Sequence, residues 1–203
     1  MSRSGLSVSA HLLRLLVAFA VALGMGGCSD DGSSDHLGII GAREAVTPEQ
    51  TWQSIQVSVN GRAVAGWENA LGATFEYVPD QVSAQAFPGA FDSWNRDVEI
   101  AFAQALFAAD VEIDADLIVN GASCPASSGG TVTWPNVEYA IVIAGPGDAS
   151  PVTYRGFADL EFGLEGNVWY LTRWVDLQGA PAPWNEGVIC PTLGELRAVY
   201  RDR

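Results

Sequence analysis

Residues 152–176, VTYRGFADLEFGLEGNVWYLTRWVD, decide how the rest of the chain folds. They read as two long β-strands joined at Leu164-Glu165-Gly166-Asn167. The first arm is carried by Tyr154, Phe157, Leu160, Phe162 and Leu164. The second, VWYLTRWVD, is almost wholly β-branched, aromatic or Leu, and Gly and Asn supply the turn between them. A hairpin of this kind leaves broad apolar faces that other elements have to cover.

Upstream, VEIDADLIV (111–119) alternates Val111, Ile113, Ala115, Leu117 and Val119 against Glu112, Asp114 and Asp116, the period of a strand with one wet face. Thr131 to Ile143 reads as another strand, interrupted by Pro135. Before these strands the period is helical. Thr47-Pro48-Glu49-Gln50 is a capping box with Pro at the first helical position. Trp52, Ile55 and Val59 follow on one face, and Asn60-Gly61 ends the helix. Val64, Trp67 and Leu71 mark a second helix, stopping at Gly72, and a short strand ATFEYV runs to Pro79. A loop through Phe87-Pro88-Gly89 leads to a third helix with Val98, Ala101, Phe102, Ala105, Leu106 and Ala109 as its apolar face. Asp97 and Glu99 are placed to favour its positive end. Thr192-Leu193-Gly194-Glu195 opens a terminal helix with Leu196 and Tyr200. The expected fold class is α+β: a cone-like curved antiparallel sheet with about three N-terminal helices packed on one face. A plain β-sandwich is the competing fold, disfavoured because three helical patterns precede the strands.

The order of WENALGATFEYVPD (67–80), DSWNRDVEIAFAQALF (92–107), WYLTRWVDL (169–177) and TLGELRAVY (192–200) resembles the nuclear-transport-factor-two-like superfamily. That cone-shaped fold is shared by ketosteroid isomerase and the SnoaL-like polyketide cyclases, and within it the chain looks like a group of bacterial lipoproteins. The resemblance covers residues 46–203 and implies a cavity inside the cone. No motif matches the catalytic residues of the isomerases, so none is carried across.

The N-terminal segment reads as an address. Arg3, His11 and Arg14 precede an apolar run from Leu15 to Met25, too short to span a bilayer as a helix. Met25-Gly26-Gly27-Cys28 resembles a lipobox, which makes residues 1–27 a lipoprotein signal peptide and Cys28 the lipidated N-terminus. Ser29 after it resembles an outer-membrane destination, so a lipid-anchored cell-envelope location is expected. Residues 28–45, rich in small and acidic residues, form a flexible tether; Leu37, Ile39 and Ile40 interrupt its polar pattern. Cleavage removes two arginines and no acid, leaving 8 Arg against 24 Asp and Glu, a net charge of −16, with no Lys anywhere. That balance excludes nucleic acid as a partner. With Cys28 committed to lipid, Cys124 and Cys190 remain as a pair in an oxidising compartment. A bridge between them contributes on the order of 4 kcal/mol in the chain-entropy picture. Neither lies in a Cys-x-x-Cys motif.

Both histidines, His11 and His36, lie outside the expected domain. Within this chain that removes Ser-His and Cys-His nucleophile systems and His-ligated zinc. Gly121-Ala122-Ser123-Cys124-Pro125 approaches a nucleophile elbow but ends in Pro and has no base. The ladder Asp110, Glu112, Asp114, Asp116 lacks the Gly and Glu that a calcium loop needs at its sixth and twelfth positions. No metal, cofactor or catalytic residue is assigned. Trp67, Tyr77, Trp94, Phe102, Tyr139, Tyr170 and Trp174 form the candidate pocket, with Trp169 in the same aromatic set; aromatics at such spacing also simply build cores. Asp80, Asp159 and Asp176 are carboxylates expected near its rim.

Two functions stay open. One is an envelope-anchored, non-catalytic domain that binds a small apolar molecule or a partner protein. The alternative is a SnoaL-like isomerase or cyclase with a single carboxylate as general base. A carboxylate inside a closed apolar cavity discriminates between them. Strict alternation along VWYLTRWVD puts large apolar groups on both faces, with Trp169 on one and Trp174 on the other. An exposed second face points to a homodimer. The competing cover is the segment Leu177 to Cys190, folded back with Trp184.

Overall fold

The computed structural model describes residues 44–118, 130–146 and 150–201, with the side chains of residues 117 and 118 left aside. Cys28, Cys124 and most of the tether therefore lie outside the described residues, as do the signal segment and GASCP.

Helix α1 (Pro48–Asn60) begins as its capping box requires. Thr47 accepts from the Gln50 backbone N–H at 3.3 Å, and Gln50 Oε1 accepts from the Val46 N–H at 2.8 Å. Trp52, Ile55 and Val59 are its buried face. The chain leaves α1 through Arg62, whose φ of 54° makes the reversal that Gly61 was expected to make. Helix α2 (Val64–Ala70) stops before Leu71, which already belongs to strand β1 (Leu71–Val78). The loop expected after Pro79 contains a further short helix, α3 (Gln81–Ala86). Its N-cap is Asp80, which accepts from the Val82 and Ser83 N–H groups. Helix α4 (Arg96–Ala108) is capped by Asn95. Its buried face is Glu99, Phe102, Ala103, Leu106 and Phe107, turned slightly from the expected stripe so that Ala101 is exposed.

Strands β2 (Glu112–Ile118), β3 (Thr131–Ala144), β4 (Val152–Glu165) and β5 (Val168–Gly179) form an antiparallel run, the β4–β5 turn falling at Gly166 with φ 65°. Strand β1 then joins β5 in parallel, giving the order β1-β5-β4-β3-β2. The sheet is therefore mixed rather than wholly antiparallel, because the helical excursion between β1 and β2 lets the first strand enter from the far edge. A short hairpin, β6 (Pro181–Ala182) and β7 (Asn185–Ile189), leaves the end of β5 before α5 (Leu193–Tyr200). Among the described residues, α1, α2, α4 and α5 lie over one face of the sheet and enclose a single aromatic-rich core.

Register shifts interrupt the ladders at several places, a third among β3, β4 and β5 falling at Leu177, and two of them decide which residues face inward. On β3, the register jumps between Trp134 and Val137 across Pro135-Asn136, where Asn136 has φ 55°. On β5, Leu171 pairs with Phe162 and Arg173 with Glu161, leaving Thr172 as the extra residue. After that residue the alternation changes phase, so Trp169, Leu171, Trp174 and Asp176 all face inward and are buried. Strict alternation would have split the two tryptophans between faces; the bulge removes that reason for covering the second face. Leu177 to Cys190 does not bring Trp184 over the sheet either: Trp184 is 67 % exposed on the β6–β7 hairpin.

Candidate functional site

The inward half of β5 beyond Thr172 carries the polar centre of the cone. Asp176 Oδ1 accepts from Trp174 Nε1 and Oδ2 from the Tyr77 hydroxyl, each at 2.7 Å. Tyr77 reaches it because β1 runs parallel to β5 with Tyr77 opposite Trp174. Tyr139, from β3, lies close enough to Asp176 to feel its charge, and its hydroxyl accepts from the Leu193 N–H at 3.1 Å. Gly156 makes room for it: a Cβ there would stand 2.6 Å from the Tyr139 hydroxyl.

Helix α5 sends Arg197 into this centre. Its Nε lies 3.0 Å from Glu99 Oε2 and its Nη2 2.8 Å from Oε1, a two-bond contact between groups that are both fully buried. Trp94 Nε1 adds a bond to Glu99 Oε2 at 2.6 Å. The guanidinium carbon sits 4.0 Å from the Tyr77 ring centroid and 4.9 Å from that of Trp174, so the cation is also held by aromatic faces.

Burial pushes the Asp176 carboxyl above its ordinary range, only partly offset by Arg197 and by the Tyr77 and Trp174 bonds. Burial, then the Asp176 charge, raises Tyr77 and Tyr139. For Arg197, burial favours the neutral form, but Glu99 and then Tyr77 outweigh it and keep the guanidinium charged. Asp80 behaves oppositely to Asp176. Burial works against its charge, yet hydrogen bonds from Ser83, Thr192 and Val82 bring it below the ordinary value. It ties α3 to α5 through Thr192 Oγ1 at 2.6 Å. Its role is structural.

What remains open inside the cone is small. Ile55, Val59, Trp67, Phe102, Leu106, Phe107, Ile141, Trp174, Leu193, Leu196 and Arg197 line a cavity of about 10 Å³, room for about one water. Among the described residues, two buried side-chain polar atoms lack a partner, Trp67 Nε1 and Arg197 Nη1; both side chains help to wall the cavity, whose surface is apolar throughout.

Of the expected pocket residues, Trp67, Phe102 and Trp174 line the cavity, Tyr77 and Tyr139 surround Asp176, and Trp94 stands behind Glu99. Tyr170 is separate. It faces a polar surface groove with Leu71, Ala73, Asn95, Arg96, Asp97 and Glu165. Asp176 is at the centre of the cone rather than at its rim, and Asp159 accepts from the Asn136 N–H on the sheet's other face. Glu112, Asp114 and Asp116 are exposed along β2. Glu99 and Arg197 were missed. The signal was there: Glu99 shares its helical face with Phe102, Ala103 and Leu106, and Arg197 lies among Leu193, Leu196 and Tyr200. A charge inside an apolar stripe needs a buried partner. Cys190 is buried and has no disulfide partner among the described residues, which do not include Cys124.

Among solved structures, the chain is similar to a nuclear-transport-factor-two-like protein of unknown function from Pseudomonas putida. The identity is 9 %, the coverage 70 % of this chain and 90 % of that one, and the TM-score 0.45. Two other structures to which the chain is similar are those of enzymes. One is an LEH-like epoxide hydrolase from Mycobacterium tuberculosis (12 % identity, 74 % and 90 % coverage, TM-score 0.39). The other is naphthalene 1,2-dioxygenase (9 % identity, 64 % and 75 % coverage, TM-score 0.49). No family model and no curated protein matches the sequence. At these identities the likeness is one of fold, and chemistry has to be read from the residues themselves.

Proposed function

We propose that this is an envelope-anchored lipoprotein whose nuclear-transport-factor-two-like domain binds a small apolar molecule without transforming it. One observation carries the reading: the open space inside the cone is walled by apolar groups, and neither Asp176 nor Glu99 lines it. Both oxygens of Asp176 and both of Glu99 already accept hydrogen bonds, whereas Trp67 Nε1 and Arg197 Nη1 have no acceptor among the described residues. A general base has to come within hydrogen-bond reach of the substrate proton, and the Asp176 and Glu99 carboxylates do not line the cavity. A binding site needs apolar walls and a few aimed polar groups. The interior fits the second description.

The isomerase or cyclase reading keeps one specific support, the buried Asp176 with its raised pKa. It requires a substrate to make its own room beside Asp176, which does not line the cavity.

Native mass spectrometry of the delipidated protein, purified from its own host, tests the binding reading. The expected result is a retained compound released on unfolding. A bare protein mass in every preparation overturns it. The anchor is tested separately. Cys28→Ala is expected to move the protein out of the membrane fraction, and retention there refutes lipidation. The Cys124–Cys190 bridge is likewise a proposal; non-reducing peptide mapping of the exported protein is expected to recover the two linked.

A further inference from the structure

We infer that the β6–β7 hairpin is a second membrane contact, its tip entering the interfacial layer of an electrically neutral bilayer to which Cys28 holds the chain. This rests on the anchored reading above and adds the face that the domain turns to the lipid. Residues 183–189 are all exposed, and Trp184, Val188 and Ile189 among them are 67 %, 45 % and 60 % exposed. Leu177, just before the hairpin on β5, is exposed as well, as are Pro181 and Pro183. Other exposed apolar side chains, such as Val57 and Val82, lie apart on separate helices. The hairpin is tied to β4 at its base. The Ala180 N–H donates to the Arg155 carbonyl and the Cys190 N–H to the Ala180 carbonyl, each at 2.9 Å, and Arg155 Nη1 donates to the Pro181 carbonyl at 2.6 Å. Ala180 and Ala182 are buried. The apolar tip is thus presented to the outside rather than folded onto the sheet.

Size and charge choose the occupant. A stable protein interface buries roughly 800 Å² on each partner, more than four side chains on a narrow two-stranded tip supply, and a convex tip needs a matching cleft. A bilayer needs none. Tryptophan favours the interfacial layer, where its ring is buried and its N–H stays wet. The open backbone edges of a hairpin keep it from going deeper. From Pro181 to Ile189 the one charged residue is Glu186, and the chain as a whole is strongly acidic, so anionic headgroups repel this tip. The length of the tether permits the placement. The chain enters the domain at Ala45, whose carbonyl accepts from the Trp169 N–H at 2.8 Å. Gly179, where β5 ends, lies about 33 Å from Trp169 at the usual rise of a strand. From Cys28 to Ala45 the chain spans at most about 56 Å, so an anchored Cys28 and a docked hairpin fit one membrane.

Tryptophan fluorescence of the lipidated mature protein in phosphatidylcholine vesicles tests this. Of the seven tryptophans, Trp184 is exposed and the other six are buried, so quenchers report on the hairpin. Lipid brominated near the headgroup end of its acyl chains is expected to remove the Trp184 share of the emission. Iodide in the water, which reaches Trp184 in detergent-free solution of the unlipidated Cys28→Ala protein, is expected to lose that access on vesicles. Trp184→Phe is expected to abolish both effects with the circular dichroism unchanged, and Val188→Ser with Ile189→Ser to remove most of the bromine quenching. Added phosphatidylglycerol is expected to weaken the quenching; a stronger effect overturns the assignment to neutral lipid. Full iodide access on vesicles without bromine quenching, in protein shown by mass to carry lipid on Cys28, overturns the inference and leaves the anchor standing. Iodide protection that follows protein concentration rather than vesicles gives the tip to a second copy and overturns it too. Absence of lipid on Cys28 in protein from its own host removes the anchored reading and this inference with it.

Discussion

The inner face of the sheet has two halves that share strands but not chemistry. The half before the bulges, built from Val132, Trp134, Leu160, Phe162, Trp169 and Leu171, is dry and apolar, with the Trp134 and Phe162 rings 4.6 Å apart. The half beyond them holds Tyr139, Trp174 and Asp176, and meets Tyr77, Glu99 and Arg197. One extra residue on β5 and the Pro135-Asn136 step on β3 separate the two. The difference shows what a bulge does besides bending a strand: it changes which residues face inward, so a run with no clean alternation can serve one face. The apolar half is held by area and packing. The polar half is held by hydrogen bonds and an ion pair among buried groups, and removing one member leaves its partner buried without a match.

Inserting one alanine between Arg173 and Trp174 breaks the comparison most severely. Taken into the ladder, the added residue turns Trp174 and Asp176 outward and Val175 into the cone. The expected outcome is loss of cooperative thermal unfolding, read by circular dichroism. Next is Glu99→Ala, which leaves the Arg197 charge buried and unmatched. A loss of about 3–5 kcal/mol in urea unfolding is expected. The double variant Glu99→Leu with Arg197→Met should cost less than that single change, since an apolar replacement of both partners removes the unmatched charge. Gly163→Ala probes the bulge itself. Its Cβ would stand 2.9 Å from Thr172 Cγ2, as would a Cβ at Gly72, so the Thr172 methyl occupies space that two glycines leave. About 1–3 kcal/mol of destabilisation is expected, as for other overpacked sites.

The smallest effect is on pH dependence. The folded-state pKa of Asp176 is raised, so its protonated form is favoured by folding. Its contribution is fully present below the ordinary carboxyl value and is lost as pH rises through the folded value. Asp176→Asn should therefore flatten the fall in stability over that window. A slope unchanged by the substitution would assign the dependence to other groups. Asp80 acts in the opposite sense: its pKa is lowered, and its contribution is lost as pH falls through the folded value.

The apolar half was legible in the sequence because its signals are local. Leu160 and Phe162 lie two apart, Trp169 and Leu171 likewise, and Gly166 marks the turn that joins their strands. The caps at Thr47 and Thr192 and the helices after them were legible for the same reason. The polar half was not. Its placement depends on Thr172 being an unpaired residue, which no local pattern in VWYLTRWVD announces, and on β1 joining β5 in parallel across about a hundred residues. Glu99 looked like a helix-dipole acid because its sequence neighbours suggested that; only Arg197, 98 residues away, explains it. Of the aromatics read as a pocket, Trp67, Tyr77, Trp94, Phe102, Tyr139 and Trp174 are buried in the core, whereas Tyr170 faces a surface groove.

The central claim is that Asp176 is sealed inside the cone and committed to Tyr77 and Trp174. Following the Asp176 side-chain carboxyl carbon by NMR as pH is varied measures this directly. The account predicts a midpoint above the ordinary 3.8, lowered towards that value by no solute too large to enter the cone. A midpoint at the ordinary value, with the shift of a freely solvated carboxylate, would contradict it and return Asp176 to the position of an available base.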